Sequence, residues 1–247
     1  MNIHAIILAA GKGTRMNSDI PKVLHKVKDI ALIDRVLEKV MEICAIPTVV
    51  VGYKAEDVIA HTKNKYHYVF QKEQLGTGHA VFSAKDALFD KKFDAMIVLP
   101  GDHPSVQSST IRQLALSHLE NGAKLSITTV MVPDFSGDFS EFYNCGRIMR
   151  DENGDVSGII ELRDANKEQQ NIKEVNVSYY CFNPDWLWQN IGKLINNNNA
   201  NEYYLTDLIK MAAEKGEKIN SITINNPIEG MGVNTCEQLE IVERYIF

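Results

Sequence analysis

The chain has 247 residues, of which 45% are hydrophobic, and its 26 basic and 32 acidic residues leave a formal net charge of −6. A chain of this length buries enough surface to fold without disulfides or a structural metal. The mildly acidic charge excludes a broad electrostatic surface for nucleic acid or an anionic membrane. We therefore expect any polyanionic ligand to be small.

Hydropathy and cysteine spacing indicate the cellular location of the protein and the state of its thiols. The longest apolar run, residues 5–10, is far shorter than the roughly 20 residues that cross a bilayer, and no signal-peptide pattern follows Met1. We therefore expect a cytoplasmic protein. No C-x-x-C pair is present, so we expect reduced thiols that pack in the interior, not a disulfide or a zinc site. The four cysteines are Cys44, Cys145, Cys181 and Cys236.

The first half of the chain alternates between short apolar runs and amphipathic stretches. The run at 3–8 predicts a strand buried on both faces, and apolar residues within 32–43 recur at helical spacing. The same patterns predict strands at 48–52, 66–70 and 95–99, and helices at 55–61, 78–88 and 110–119. Parallel strands joined by helices are the simplest arrangement, so we predict an α/β fold.

The pattern changes after Lys124. Residues 125–132 are rich in Thr, Val and Ile, and Asn153-Gly154 between 146–150 and 156–160 predicts a hairpin. Further predicted elements are strands at 174–182 and 219–224, and helices at 184–195, 204–214 and 235–245. We expect a single domain, 1–247, in which residues 1–123 with 225–247 form one lobe and residues 124–224 form a smaller β lobe.

A glycine-rich stretch directly follows the first predicted strand. Small residues let the backbone approach a ligand, and its N–H groups with nearby cationic side chains suit phosphate. The stretch is not a Walker loop, because Ile6 occupies the place of its first glycine, nor a dinucleotide fingerprint, because Met16 replaces the third. The residues of this predicted phosphate loop are Leu8, Ala9, Ala10, Gly11, Lys12 and Gly13, with Arg15 and Lys22 as nearby cations.

These motifs resemble a known family. Residues 8–16, L-A-A-G-K-G-T-R-M, followed by P-K-V-L at 21–24, resemble the sugar-phosphate nucleotidyltransferases. Within that family, seven later segments resemble the uridyltransferase (pyrophosphorylase) domains that make UDP-N-acetylglucosamine, and they occur in the same order. These segments are residues 71–80, 101–102, 146–148, 160–161, 174–176, 201–207 and 232–234. The resemblance covers almost the whole chain.

The resemblance implies a fold, a reaction and a set of partners. The fold is a Rossmann-like, mixed and mostly parallel sheet of the nucleotide-diphospho-sugar transferase type, with a smaller sugar-binding β lobe. The reaction is Mg²⁺-dependent transfer of UMP from UTP to a sugar 1-phosphate, foremost N-acetylglucosamine 1-phosphate, with release of pyrophosphate. The implied partners are these small molecules, with no nucleic acid and no membrane, and the oligomeric state is left open.

The resemblance also implies roles for single residues. Arg15 and Lys22 are the catalytic cations, and Asp102 with Asn234 would bind Mg²⁺. The implied nucleotide site consists of the glycine loop together with Gln71, Gly76 and Thr77. The implied sugar contacts are Gly146, Glu161, Asn176 and Asn234. Such a set needs no general base, because the attacking sugar phosphate is already largely a dianion at neutral pH.

Several departures from the family pattern keep alternatives open. Members of this kind carry an acetyltransferase domain of hexapeptide repeats, which this sequence lacks. Pro100, His103 and Asn144-Cys145 differ from the pattern beside the expected sugar site, and residues 133–145 form a longer segment that could reshape the pocket wall or serve a partner. One alternative is therefore a nucleotidyltransferase for another hexosamine 1-phosphate or another NTP in a surface-glycan pathway. A second is a non-catalytic nucleotide-sugar sensor.

Overall fold

The computed structural model describes residues 1–246. Its strands are β1 (Ile3–Ala9), β2 (Lys26–Val27), β3 (Ile30–Ala31), β4 (Thr48–Val51), β5 (His67–Phe70), β6 (Ala95–Pro100), β7 (Leu125–Met131), β8 (Arg147–Arg150), β9 (Val156–Ile160), β10 (Glu174–Phe182) and β11 (Ile219–Ile224). Seven of them lie in the order β11-β7-β10-β6-β1-β4-β5, and β8 joins β9 to this sheet through β10. Strands β2 and β3 form a separate ribbon.

Strand directions confirm the predicted fold class. Strands β6, β1, β4 and β5 are parallel to one another, and β7 is parallel to β11. Strand β10 runs antiparallel between β6 and β7, and the hairpin of β8 and β9 is also antiparallel. The sheet is therefore mixed and mostly parallel, and it continues without a break across position 124.

Helices cover both faces of this sheet. They are α1 (Leu32–Met41), α2 (Ala55–His61), α3 (Thr77–Ser83), α4 (Lys85–Leu88), α5 (Ser108–Asn121), α6 (Pro184–Asn190), α7 (Asp207–Glu214) and α8 (Cys236–Tyr245). Alternate residues of β1 enter opposite cores, because successive strand side chains point to opposite faces. Ile7 packs in the core that α1, α5 and α8 cover, and Ile6 in the core that α3, α6 and α7 cover.

Most predicted elements are confirmed, including the hairpin at Asn153-Gly154, where Gly154 adopts a φ of +84°. Two predicted helices are shorter or divided. The helix predicted at 78–88 is two short helices that meet at Ala84, and the one predicted at 184–195 ends at Asn190 before a 3-10 turn. A 3-10 segment at Gly137–Asn144 was not predicted.

The helix predicted at 204–214 begins only at Asp207, because the preceding backbone is committed elsewhere. Tyr203 N donates to Leu75 O, Gly78 N donates to Tyr203 O, and Leu205 N donates to the Thr77 hydroxyl. These bonds join residues 75–78 to residues 203–205, so the segments 71–80 and 201–207 that carry the resemblance lie against each other.

The structure confirms the prediction of free thiols, but not that every cysteine packs in the interior. All four thiols are free, and Cys44 and Cys181 are buried as predicted. Cys145 is half-buried and Cys236 is exposed at the start of α8, so the packing prediction is wrong for Cys236. Among residues 1–246, no helix combines the length and apolar character that a membrane crossing requires.

Candidate active site

A cavity of about 510 Å³ opens at the carboxyl ends of the parallel strands β1 and β6. Ligand sites in open α/β sheets form at this edge, because the loops that follow neighbouring strands converge there. The cavity is lined by most of the residues predicted from sequence: Leu8, Ala9, Ala10, Gly11, Arg15, Lys22, Gln71, Gly76, Thr77, Asp102, Gly146, Glu161, Asn176 and Asn234.

Two predicted nucleotide residues, Lys12 and Gly13, do not line this cavity. The Lys12 side chain is exposed, and its ammonium lies 5.5 Å from the centre of the Tyr53 ring. Gly13 has a φ of +68°, and a Cβ at this position would lie 2.6 Å from Lys22 Cβ. Glycine is therefore needed here to leave room for the Lys22 side chain.

Lys22 joins three parts of the chain at the floor of the cavity. Its ammonium forms an ion pair with Asp102 Oδ2 and donates a 2.8 Å hydrogen bond to Asn234 Oδ1. Asp102 follows β6, and Asn234 precedes α8, while the Asp102 carbonyl accepts a 2.9 Å bond from Val233 N. A carboxylate and an amide oxygen from distant segments thus converge on one cation.

Electrostatics keep this carboxylate charged. Burial, the largest single cause, would raise the pKa of Asp102, but the attraction of the Lys22 ammonium together with the hydrogen bonds to the carboxylate holds the pKa below its ordinary value. The neighbouring His103 packs edge-on against the Tyr179 ring at 5.4 Å. Burial, the largest cause, lowers the pKa of His103 to about 4, so its imidazole is neutral at pH 7.

Gln71 is held in one orientation beside the glycine loop. Its Nε2 donates to Gly76 O at 3.1 Å and lies 3.1 Å from His79 Nδ1. Gly76 has a φ of +105°, and a Cβ there would lie 2.7 Å from Tyr203 O. Since the amide nitrogen of Gln71 is occupied, its Oε1 is the atom available to a ligand.

Carboxylates concentrate at the opposite end of the cavity. Glu161 Oε1 accepts a 3.1 Å hydrogen bond from the buried Thr206 hydroxyl. Burial raises the pKa of Glu161, and nearby acidic groups, including Glu202, raise it further. Gly146 is close to this carboxylate: a Cβ on it would meet the Glu161 oxygens at 3.3 Å and Ile159 Cγ2 at 2.8 Å.

Asn176 lies where β10 loses its regular pairing with β7. A β-bulge occupies the strand between Asn176 and Tyr180, and Ser178 adopts a φ of +65° within it. Asn176 Nδ2 donates to the Tyr180 hydroxyl at 2.7 Å, and its Oδ1 accepts from Ser178 N at 3.0 Å. The bulge thus turns polar groups towards the cavity in the middle of a buried strand.

Several further residues of the cavity lining have no role assigned from the sequence. Pro100, His103, Asn144 and Cys145 were expected beside the sugar site, and Gln74 and Thr206 lie within the segments 71–80 and 201–207 that carry the resemblance. Glu141 and Phe142 belong to the 133–145 segment, whose length was the only signal. Ser178, Tyr180 and Gln238 carry no motif of their own.

Two residues of the cavity, Asp102 and Asn234, are candidate ligands for a metal ion. Residues 1–246 hold no group of three or more His, Cys, Asp or Glu side chains that could bind a metal ion by themselves. Asp102 and Asn234 nevertheless present two oxygens to one ammonium, so their geometry suits a cation. Mg²⁺ prefers oxygen ligands and is commonly held by one or two carboxylates together with substrate phosphates. This donor pair fits that mode.

Comparison with known proteins identifies relatives over this same region. The MobA-like NTP transferase domain family matches residues 5–167. The bifunctional protein GlmU of Clostridium tetani is 42% identical over 241 residues, or 97% of this chain and 51% of that protein. GlmU of Clostridioides difficile is 39% identical over 244 residues, covering 98% and 51%. The chain therefore spans about half the length of these curated relatives.

A solved structure shows the same fold. The crystal structure of a UDP-glucose pyrophosphorylase complexed with UDP-glucose superimposes with a TM-score of 0.71, and the match covers 99% of this chain and 98% of that one. The two sequences are 20% identical, so this likeness concerns architecture alone.

Proposed function

The chain belongs to the MobA-like NTP transferase domain family, and on that premise we propose the reaction that this sugar-1-phosphate nucleotidyltransferase catalyses. The reaction is transfer of UMP from UTP to N-acetylglucosamine 1-phosphate, with Mg²⁺, to give UDP-N-acetylglucosamine and pyrophosphate. Curated relatives at about 40% identity are GlmU proteins, which supports this choice. A nucleoside triphosphate substrate also fits the cytoplasmic location predicted from sequence.

One observation carries the proposal: Lys22, Asp102 and Asn234 meet at one point between the glycine loop and the carboxylate end of the cavity. Transfer of a nucleotidyl group requires neutralised phosphate oxygens where the two substrates join. A lysine with a potential metal-binding pair at this junction supplies that requirement.

The loop side of the cavity would hold the nucleotide. The backbone of Ala9, Ala10 and Gly11, which follows β1, would face the base, with Gly76 and Thr77 across the cavity. Gln71 Oε1 is an acceptor, and uracil carries a ring N–H that cytosine lacks at the same position. This orientation supports a uracil nucleotide. Arg15 would bind the departing pyrophosphate.

Asp102 and Asn234 would hold Mg²⁺ jointly with the nucleotide phosphates, since two protein oxygens leave the other positions to substrate and water. When bound, the ion would neutralise charge on the phosphate oxygens. Lys22 would direct its ammonium towards the phosphates at the reacting centre, which its flexible stem allows.

The remaining step would be an in-line attack by the acceptor phosphate on the α-phosphorus of the nucleotide. A phosphate monoester has a second pKa of about 6, so the acceptor is already a nucleophilic dianion at neutral pH. The neutral His103 therefore need not remove a proton, and positioning of the reactants carries the rate.

The sugar would lie beside Gly146, Glu161 and Asn176 at the far end of the cavity, and Asn234 would contact it from the junction with Lys22. The glutamate and asparagine would bond its hydroxyl and acetamido groups, and Gly146 leaves the space beside the carboxylate. We accordingly assign nucleotide binding to residues 1–123 with 225–247 and sugar binding to residues 124–224.

A second candidate function is supported by the 133–145 segment. Four of its residues, Glu141, Phe142, Asn144 and Cys145, form part of the cavity wall near Gly146. A different wall favours a different acceptor, so another hexosamine 1-phosphate, or another nucleotide, is the alternative.

A substrate matrix tests both candidates. Wild-type protein with Mg²⁺ is combined with UTP, CTP, GTP or dTTP and with the 1-phosphates of N-acetylglucosamine, N-acetylgalactosamine, glucosamine or glucose. Pyrophosphate release and product mass are measured. We expect the highest kcat/KM for UTP with N-acetylglucosamine 1-phosphate, and a kcat at least about a hundredfold lower for Asp102→Ala protein under the same conditions. Turnover of another pair with none of this one contradicts the first choice and supports the second.

A further inference from the structure

The segment of residues 133–145, here called the wall segment, connects two regions of the protein. It follows β7 and precedes β8, and its 3-10 portion Gly137–Asn144 runs beside α8. Four of its residues line the cavity, as described above. It therefore contacts two regions: the end of the cavity near Gly146 where the sugar 1-phosphate would lie, here called the acceptor end, and the helix that follows Asn234.

The wall segment is anchored at both of its ends. Asp138 accepts hydrogen bonds from Arg244 at 2.5 Å and from the Tyr245 hydroxyl at 2.7 Å, near the end of α8. The fully buried Arg147 holds the segment near both of its ends, because it donates to Tyr143 O at 2.9 Å and its guanidinium lies 4.7 Å from the centre of the Phe135 ring. Two anchors of this kind make the segment a fixed part of the cavity wall.

Between these anchors, Glu141 bonds to the first turn of α8. Its Oε2 accepts a 2.8 Å hydrogen bond from Gln238 Nε2 and a longer one, 3.4 Å, from Asn144 Nδ2. The other end of the same Gln238 amide, Oε1, accepts from Thr235 N at 3.1 Å and from Asn234 N. Gln238 is 4% exposed, so both ends of its amide are committed inside the protein.

These bonds form a continuous connection from the wall segment to the catalytic floor. Glu141 fixes which way the Gln238 amide faces jointly with the backbone N–H groups of Asn234 and Thr235, because only Nε2 donates and only Oε1 accepts. Gln238 Oε1 in turn holds the Asn234 backbone. Asn234 Oδ1 accepts the 2.8 Å bond from Lys22. Three hydrogen bonds thus separate the wall-segment carboxylate from the Lys22 ammonium.

We propose that Glu141 is a positioning residue, which orients Asn234 through Gln238 and thereby sets the place of Lys22 in the cavity. The kinetic consequence of this inference rests on the proposed function, whereas the orientation of Asn234 does not. Residues that orient the groups in direct contact with a reacting centre typically contribute about 10- to 100-fold to activity.

The variants separate the hydrogen bond from the mere presence of a side chain. Glu141→Ala removes the acceptor, so Gln238 loses the partner of its Nε2. Glu141→Gln keeps a carbonyl oxygen that can accept the same bond. Asp138→Asn is the matched control, because it weakens an anchor of the same segment that lies outside the cavity and contacts α8 at Arg244.

The first readout is the side-chain amide spectrum of uniformly ¹⁵N-labelled protein without substrates. The Asn234 and Gln238 signals are assigned by their loss in Asn234→Asp and Gln238→Glu proteins. We expect both signals to shift in Glu141→Ala, and to stay near the wild-type positions in Glu141→Gln and Asp138→Asn. An unchanged Asn234 signal in folded Glu141→Ala protein would overturn the inference.

The second readout is a double-mutant cycle on kcat with the best substrate pair of the wild-type protein. We expect Glu141→Ala to lower kcat about tenfold with little change in the KM for nucleotide, and Glu141→Gln to restore kcat to within about twofold. In the Asn234→Ala background, Glu141→Ala should have no further effect, since the two residues act through one connection. Additive losses in the cycle would contradict the inference. If wild-type protein turned over no pair, the proposed function would fail, while the amide spectrum would still decide the orientation.

Discussion

The two ends of the cavity are built in different ways. The loop end consists mainly of backbone and small residues that directly follow β1 and β5, with Arg15 and Lys22 as its cations. The acceptor end consists of side chains from distant segments, and its ionisable groups include Glu141 and Glu161, whereas Glu202 lies beside Gly76 of the loop end. The cations Arg15 and Lys22 thus belong to the loop end, and the Glu141 and Glu161 carboxylates to the acceptor end.

This difference shows how one cavity can handle two substrates of opposite demands. A triphosphate needs positive charge and close backbone approach, which a short continuous loop provides. A sugar needs hydrogen-bond partners at several angles, which side chains from separate segments provide. The two ends meet at Lys22, Asp102 and Asn234, where the phosphates of both substrates would lie.

The comparison predicts that the meeting point of the two ends, formed by Lys22, Asp102 and Asn234, contributes most to kcat. Lys22→Ala and Asp102→Ala should each lower kcat at least about a hundredfold, because each removes a charge at the place where phosphate charge develops. Steady-state pyrophosphate release measures the effect, and the circular dichroism spectrum checks the fold. Lys210→Ala, on the exposed face of α7, should keep wild-type kcat. Near-normal turnover by either site variant would remove the meeting point from the mechanism.

Substitutions at two glycines test the loop end, and the expected effect, on the KM for nucleotide, is smaller than the effect on kcat at the meeting point. Both Gly76 and Gly122 have positive φ, but a Cβ on Gly76 would lie 2.7 Å from Tyr203 O, whereas Gly122 has no atom within 4 Å. Gly76→Ala should raise the KM for nucleotide at least about tenfold, because it displaces the backbone beside Gln71. Gly122→Ala should lose only about 1 kcal/mol of unfolding free energy and keep that KM. Equal KM values in the two variants would contradict a backbone-built nucleotide site.

The acceptor end should give the smallest effect and a distinctive pH dependence. Glu161→Gln should raise the KM for the sugar 1-phosphate about fivefold and leave the KM for nucleotide unchanged, because one hydrogen-bond acceptor becomes weaker. Steady-state kinetics with each substrate varied in turn distinguish the two constants. The exposed Glu152→Gln in the hairpin turn serves as the control.

The stability of this variant has a predictable sign. Because burial raises the pKa of Glu161 in the folded protein, the native state holds that proton more tightly than the unfolded chain does. The contribution of Glu161 to stability is therefore present below its ordinary value of 4.5 and is lost as the pH rises through the raised pKa. The melting temperature of Glu161→Gln, relative to that of the wild-type protein at the same pH, should increase from pH 4 to pH 8. A difference independent of pH would argue against a buried, strained carboxylate.

The sequence predicted the loop end better than the acceptor end for a physical reason. The glycine loop and Asp102 each follow a strong strand signal, and a strand end fixes their place in space. The bond between Glu141 and Gln238 joins residues 97 positions apart, and no local pattern encodes it. The late start of α7 likewise follows from hydrogen bonds to residues 75–78, which compete with its first turn.

The same reasoning explains why Lys12 and Gly13 were placed with the nucleotide. Their composition is that of a phosphate loop, but composition does not tell which way a side chain turns. Lys12 lies near the Tyr53 ring, and Gly13 lies against Lys22. The bulge in β10 that displays Asn176 also carries no sequence signal, because Val175 to Tyr180 reads as a regular buried strand.

The contact of Gly13 with Lys22 Cβ makes the loop and the cation one mechanical unit. A shift of the glycine loop at Gly13 would therefore displace the base of the Lys22 side chain, so that the loop and this cation move together. Replacing Gly13 by any larger residue should displace Lys22 from a position that does not itself line the cavity.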